Sequence, residues 1–229
     1  MGTSLATRLI SLGAVALVAV SVACGSSTSD ASTRVPTATA QPVELRSFSY
    51  ELSIVLTGGA SPFAFEQHGD VQLPDREQAT QTYEVSWVTS ASDRITVGDR
   101  VWFRGDLPWI DLGASPLGVI GQGSTTAAKL RELAGVADHL DGSSATRYDL
   151  TAAEFVALAG TPAGEFSEGT TASIWLSDDL GIPLRMEMAA DEDGATLSLL
   201  LTIADINSDR IAIEAPPAAQ AAAANGSDR

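Results

Sequence analysis

The sequence predicts a mainly β protein of the α+β kind, an antiparallel meander with short helices packed on its sheet. Three observations predict it. Apolar and polar residues alternate with a period of two between residues 47 and 104 and again between 171 and 204. These stretches follow one another through short turns with no helical crossover, which favours antiparallel pairing. Two segments carry helical periodicity, and both are too short to stand without packing on the sheet.

The folded part begins near Leu45. Phe48, Tyr50, Leu52, Ile54 and Leu56 alternate with Ser47, Ser49, Glu51, Ser53 and Val55, a strand with one apolar face that Gly58-Gly59 ends. A second stretch sets Phe63, Phe65, Val71 and Leu73 against Glu66, His68, Asp70 and Gln72. A third sets Tyr83, Val85 and Trp87 against Thr82, Glu84 and Ser86. Arg94–Val97 and Arg100–Arg104, joined by Gly98-Asp99, read as a hairpin holding Trp102 and Phe103. Residues 105–123 are rich in Gly and Pro and read as a loop over the sheet.

Thr125–Val136 places Leu130 and Leu133 with Ala127 and Ala134, an amphipathic helix. Leu140–Leu150 reads as one strand. Thr151–Ala159 is a second helix, with Thr151 and Glu154 at capping-box spacing and Gly160 and Pro162 as its stop. Its apolar face holds Phe155, Leu158 and Ala159. Thr171–Ser177, Pro183–Ala189 and Thr196–Ala204 are strands separated by turns at Asp178–Gly181 and Asp191–Gly194. Ile211–Glu214 reads as a closing strand before Ala215-Pro216-Pro217.

The N-terminus has its own organisation. Arg8 precedes the apolar run Leu9–Cys24, and no acidic residue occurs before Asp30. A basic start, a short apolar run and small residues at its end make a secretory signal over 1–23. Ser21, Val22, Ala23 and Cys24 stand where a bacterial lipobox has its branched residue, two small residues and cysteine; Ser21 departs from the usual Leu. Cys24 is the single cysteine of the chain, so it is the expected site of lipid attachment, and no disulfide can hold the fold. Residues 24–44 form the anchor and a linker of Ser, Thr, Ala and Pro. The domain is expected over 45–217, with a frayed Ala-rich tail over 218–229. The expected location is outside the cytoplasm, tethered to the cell membrane through acylated Cys24.

The 229 residues are 45% hydrophobic, enough to bury a substantial core. Thirteen basic residues face 29 acidic ones, a net charge of −16. Nucleic acid and anionic membrane surfaces are repelled by such a chain, so no nucleic-acid partner is expected. Beyond the leader no apolar run reaches the roughly 20 residues of a membrane helix. Catalytic patterns are missing from the sequence. His68 and His139 are far apart, with no cysteine to complete a metal set. There is no H-E-x-x-H and no G-x-S-x-G. Gly121-Gln122-Gly123 lacks the strand-turn-helix setting of a nucleotide loop. Asp191–Gly194 lacks the later ligands of a calcium loop. No metal, no cofactor and no enzyme activity are expected.

Four phrases resemble one family: ITVGDRVWFRGDLPW (95–109), DGSSATRYDL (141–150), ASIWLSDDLGIPLRMEM (172–188) and DINSDRIAIEAPP (205–217). With the lipobox, they resemble the LppX/LprG group of acylated lipoproteins, which is similar to the LolA and RseB fold. The resemblance covers about 45–217. It implies a strongly curved antiparallel sheet, a half-barrel, with short helices on its concave face and an apolar cavity for acyl chains between them. The inner face so implied holds Phe63, Phe65, Tyr83, Val85, Trp87, Phe103 and Trp175 from the sheet, with Leu130, Leu133, Phe155 and Leu158 from the helices. Each of these side chains also fits an ordinary core. The expected function is to bind a lipid, a lipidated molecule or another apolar ligand and carry or present it between membranes. Two alternatives stay open: an RseB-like sensory module with an envelope protein partner, and a structural surface lipoprotein without a cavity.

Replacing Cys24 with serine is expected to move the protein out of the detergent phase on phase separation, as an uncleaved or soluble form. Unchanged membrane partitioning of Cys24→Ser would reject the anchor.

Overall fold

Eleven strands form one antiparallel sheet in the computed structural model of the protein, which describes residues 44–58, 62–86, 88–114, 124–159, 169–192 and 194–216. The elements run β1 (Ser47–Gly58), β2 (Phe63–Gln72), β3 (Arg76–Val85), β4 (Val88–Val97), β5 (Arg100–Arg104), β6 (Ile110–Ala114), α1 (Ser124–Arg131), β7 (Val136–Leu140), β8 (Ser143–Thr151), α2 (Ala152–Ala159), β9 (Thr171–Ser177), β10 (Pro183–Glu192) and β11 (Ala195–Ala204). In space the order is β6-β5-β4-β3-β2-β1-β11-β10-β9-β8-β7. Consecutive strands lie side by side except β6 and β7, which stand at opposite edges, and at the centre the first strand pairs with the last. The sheet is curved and open, with β6 and β7 at its edges. The mainly β fold expected from the alternation is the fold observed.

Register assigns the faces, because directly paired residues point the same way. Tyr50 pairs with Ile203, Leu52 with Leu201, Ile54 with Leu199 and Leu56 with Leu197. These side chains are all buried and begin the core face. Ala127 and Leu130 of α1 and Phe155 of α2 complete the same core cluster. The capping box of α2 is formed: the Glu154 carboxylate accepts from the Thr151 backbone N–H at 2.8 Å, and Thr151 Oγ1 accepts from the Glu154 N–H at 3.4 Å. That backbone hydrogen bond holds the Glu154 carboxyl below its ordinary pKa.

Several boundaries differ from those expected. β3 begins at Arg76 and β4 at Val88, well before their apolar signals. The reason is composition: the core-face positions there are Glu77, Gln81, Ser90 and Ser92, which do not read as an apolar stripe. The loop expected over 105–123 contains strand β6. The helix expected over 125–136 ends at Arg131, and Val136 already opens β7. Gly135 explains the close approach, since a Cβ there would meet Thr146 and, at 2.8 Å, the Tyr148 ring. The single strand expected over 140–150 is the hairpin β7–β8. Asp141 and Gly142 form its turn with φ of 50° and 83°, the paired positive values of a type I′ turn. β10 continues to Glu192, so the turn to β11 is shorter than expected.

Ile211–Glu214 is not a strand. After β11 the chain crosses the other face of the sheet as a strap. Asn207 ties its start, accepting from the Arg46 N–H at 2.6 Å and donating to the Glu44 carbonyl at 2.9 Å. Further on, the Ile213 N–H donates to Gln72 Oε1 at 3.1 Å, and Arg76 Nη1 donates to the Ile213 carbonyl at 2.7 Å. Ile213 is enclosed with Ile95, Trp102 and Trp109 in a second, smaller core on the outer face. The alternating Ile211 and Ile213 suggested a strand because a strap sealing apolar side chains has the same spacing.

A chain of residues 45–217 is expected to melt cooperatively near the temperature of the mature protein, whereas one ending at 210 loses the second core. Ile213→Ala is expected to lower the melting temperature by about 5–15 °C, from a cavity cost of a few kcal/mol. An unchanged thermal melt would show that the strap contributes nothing to the fold.

Candidate functional site

The core face divides into two halves. Over β1 and β8–β11 it is closed, with Leu130 and Phe155 of the helices buried against it. Over β3–β6 it is open. Register carries the core face outward from Leu56 to Phe63, from Phe63 to Val85 and from Val85 to Val88. On that face Tyr83 is 38% exposed, Val85 46%, Val88 59% and Ile110 39%. Phe63 and Phe103 are half-buried beside them. The Phe65 and Tyr83 rings pack with centroids 4.8 Å apart at 45°. A sheet face that continues a core yet meets solvent with large apolar side chains is suited to an apolar ligand or partner.

A polar strip crosses the core face between the closed half and this open end. Tyr50 Oη donates to Glu77 Oε1 at 2.6 Å, and Gln67 Nε2 donates to Tyr50 Oη. Gln81 Nε2 donates to Gln67 Oε1 at 3.1 Å, and Tyr83 Oη donates to Gln81 Oε1 at 3.0 Å. Arg94 Nη2 pairs with Glu77 Oε1 at 2.8 Å, with side chains 16% and 10% exposed. Gly69 makes room: a Cβ there would lie 3.0 Å from the Tyr50 hydroxyl and 2.6 Å from the Gln78 carbonyl. Burial first, and then the Glu77 carboxylate, push the Tyr50 hydroxyl well above its ordinary pKa. Burial raises Tyr83 as well.

The expected inner-face residues fall into separate places. Phe63, Phe65, Tyr83, Val85 and Phe103 share the core face of β2, β3 and β5. Leu130 and Phe155 are buried in the closed half, and Leu133 and Leu158 pack at the margin of the core. Trp175 is a correction: it lies on the outer face. Ile174 and Leu176, on either side of it, are the buried core-face residues of β9. Trp175 pairs instead with Arg147 and Arg185, its Nε1–H donates to Asp138 Oδ2 at 2.9 Å, and the Arg185 guanidinium stands 5.6 Å from its ring. Trp87 and Cys24 lie outside the described residues. A cleft of about 320 Å³ also opens on the outer face, lined by Ser53, Ser173, Glu187, Ser198 and Leu200 among others.

Sequence reading missed Gln67, Glu77, Gln81 and Arg94, because polar residues interrupt the apolar alternation. Their signal was phase: counted in twos from Phe65 or Tyr83, Gln67 and Gln81 fall on the core face. Val88 and Ile110 were also missed. Among the described residues no group of three or more His, Cys, Asp or Glu side chains is placed to hold a metal ion, and no helix is long and apolar enough to cross a membrane.

The fold and site define a curved, open antiparallel sheet with helices on one half of its core face and an apolar surface on the other. No family model matches the chain, and no curated protein matches it. Solved structures do. The chain is similar to LprF from Mycobacterium bovis, at 13% identity over 75% of this chain and 90% of that one, with a TM-score of 0.45. It is similar to a MucA/MucB complex from Pseudomonas aeruginosa, at 17% identity over 77% of this chain and 56% of that one, with a TM-score of 0.33. It is similar to a LolA superfamily protein from Nitrosomonas europaea, at 11% identity over 90% of this chain and 95% of that one, with a TM-score of 0.28. The likeness is one of fold.

Because Tyr50 is raised in the folded state, its neutral form contributes stability that is fully present below the ordinary tyrosine pKa of about 10 and is lost as pH rises through the higher folded value. Denaturant melts between pH 8 and 11 are expected to fall more steeply for the wild type than for Tyr50→Phe at the alkaline end. Parallel profiles would exclude Tyr50 as the titrating group.

Proposed function

We propose that this chain is a non-enzymatic envelope lipoprotein that binds an apolar, lipid-like ligand on its core face and carries or presents it between membranes. The observation that carries this reading is the open half of the core face, where Tyr83, Val85, Val88 and Ile110 are exposed beside Phe63 and Phe103. Acyl chains laid against these side chains leave water, each buried CH₂ contributing about 0.8 kcal/mol. Leu133 and Leu158, at the margin of the closed half, would border such a chain. In this reading residues 1–23 are removed on export, acylated Cys24 tethers the protein on the extracytoplasmic side, 24–44 is the linker, and 45–217 is the ligand-binding domain. The terms that drive binding are non-directional, so they set the chemical class of the ligand and its chain length more than its detailed shape.

The test is lipid content. The domain purified from its own envelope is expected to yield lipid on organic extraction and mass spectrometry. Val85→Glu/Val88→Glu is expected to carry at least fivefold less, with little change in melting temperature, because both side chains already face solvent. A lipid-free wild type rejects the carrier reading. If that lipid-free protein comes down with an envelope protein, the sensory alternative takes its place.

A further inference from the structure

We infer that the outer-face groove under the strap is a binding site for an extended peptide segment of another protein, anchored by a branched apolar residue, and that the strap fills it in cis until such a segment displaces it. The site lies on the face opposite the proposed ligand surface, so the two readings stand or fall separately.

The outer face of the first wing is polar along much of its length. Ser49 and Glu51 of β1 pair there with Asp70 and His68 of β2, and these pair with Gln78 and Thr80 of β3. The enclosed apolar side chains of that face are gathered at one place, where Ile95, Trp102 and Trp109 surround Ile213, with Val97 and Ile211 packed against them. Solvation of the face does not call for two tryptophans; a pocket for an inserted side chain does.

The groove reads backbone as well as side chain. One register row crosses the strands from Ser47 through Gln72, Arg76 and Val97 to Arg100, and the strap follows it. Ser47 Oγ donates to the Ser208 carbonyl at 3.4 Å. Gln72 Oε1 accepts the Ile213 N–H, and Arg76 Nη1 donates to the Ile213 carbonyl. Two side chains thus satisfy both main-chain groups of the residue whose own side chain fills the pocket. A sheet edge does the same for an added strand, where main-chain bonds give affinity and pockets give specificity. Ala212, Glu214 and Ala215 are exposed, so the groove asks for extended backbone and a branched apolar anchor and leaves the neighbouring positions free.

The cis occupant is fixed at one end and lightly held at the other. Its stem is bound to β1 and the segment before it. Asn207 accepts from the Arg46 N–H, donates to the Glu44 carbonyl, and its own N–H donates to the Ser47 carbonyl at 2.8 Å. Six residues further on, Ile213 is held by its pocket and two hydrogen bonds, outside any sheet ladder. Such an end opens locally while the sheet stays folded. The stem also argues for a different protein over a second copy. It leaves the anchor a reach of about 20 Å, and exchange of straps would hold two chains of net charge −16 within that distance.

The test uses the full chain and a fluorescein-labelled peptide of residues 205–217. Ile213→Asp in the chain empties the pocket, because a carboxylate is not held among Ile95 and two tryptophans. This variant is expected to bind the peptide with a Kd of about 100 μM. The wild type is expected to bind about tenfold more weakly, because the leashed strap competes at an effective concentration on the order of 1 mM. A peptide that itself carries Ile213→Asp is expected to bind neither chain. A measurement on the unsubstituted chain covers the case in which the variant does not fold. With that chain labelled with ¹⁵N, unlabelled peptide at about 1 mM is expected to speed hydrogen exchange at the Ile213 amide about fivefold and to leave Leu52 and Leu201 unchanged. Equal affinity of the peptide for the two chains, no binding by the folded variant, or an Ile213 amide indifferent to the peptide overturns the site and leaves a strap that only seals the second core. Dimers of the wild type that Ile213→Asp abolishes would give the groove to a second copy and overturn the partner peptide.

Discussion

The pairing of β1 with β11 is the interaction on which the rest of the structure depends. Ten residues of each strand are in register, from Ser49 opposite Ala204 to Gly58 opposite Ala195. Every other neighbouring pair in the sheet is local, joined by a hairpin or a short excursion. This one closes a loop of nearly the whole domain, and the entropy of that closure must be met by what it buries. It buries the centre of the core: Phe48 and Leu201 are fully enclosed, and Leu52 lies directly across from Leu201, Ile54 from Leu199 and Leu56 from Leu197. Without it the two meanders, β1–β6 and β7–β11, would be joined only by the strap and the connecting chain.

That seam also explains why the two wings differ. The helices α1 and α2 belong to the second wing, and Ala127, Leu130 and Phe155 bury against its core face. The first wing has no described helix of its own, so its core face passes from packed side chains near β1 to exposed ones at β3, β4 and β6. The polar strip of Tyr50, Gln67, Glu77, Gln81 and Arg94 lies where one condition gives way to the other. On its other face this wing is secured by the strap, whose Ile213 packs with Ile95 of β4 and Trp102 of β5.

What could be read from the sequence follows from how many signals each element carried at once. β9, β10, β11 and α2 combine alternation or a capping box with clear turn residues, and their boundaries came out within a few residues. β3 and β4 failed where core-face positions are polar, because an apolar stripe was the only cue used. Those failures lie on the candidate site itself: side chains that break the pattern are the ones that do something other than pack. Trp175 failed for the opposite reason. A large aromatic residue suggests a core position, but β alternation is strict, and Ile174 and Leu176 had already claimed the core face. The divided core face had no signature in the sequence at all, since it depends on which strands the helices reach.

The antiparallel register also gives the molecule two unlike poles. Ser47, Gln72, Arg76 and Val97 meet at one end of the first wing, while Leu56, Phe63, Val85 and Val88 meet at the other. The chain enters at the first pole, where Asn207 grips Glu44 and Arg46, and the exposed valines are at the second. A ten-residue strand separates them by about 34 Å. Under the proposed function, with Cys24 as the anchor, a linker of this length would have a root-mean-square span of about 25 Å. Drawn taut, such a tether would point the apolar pole away from its own bilayer and toward whatever faces it. Slack, it would let the domain tip over and touch the lipid from which it hangs. Orientation, rather than any change of fold, would then decide which surface the open face meets.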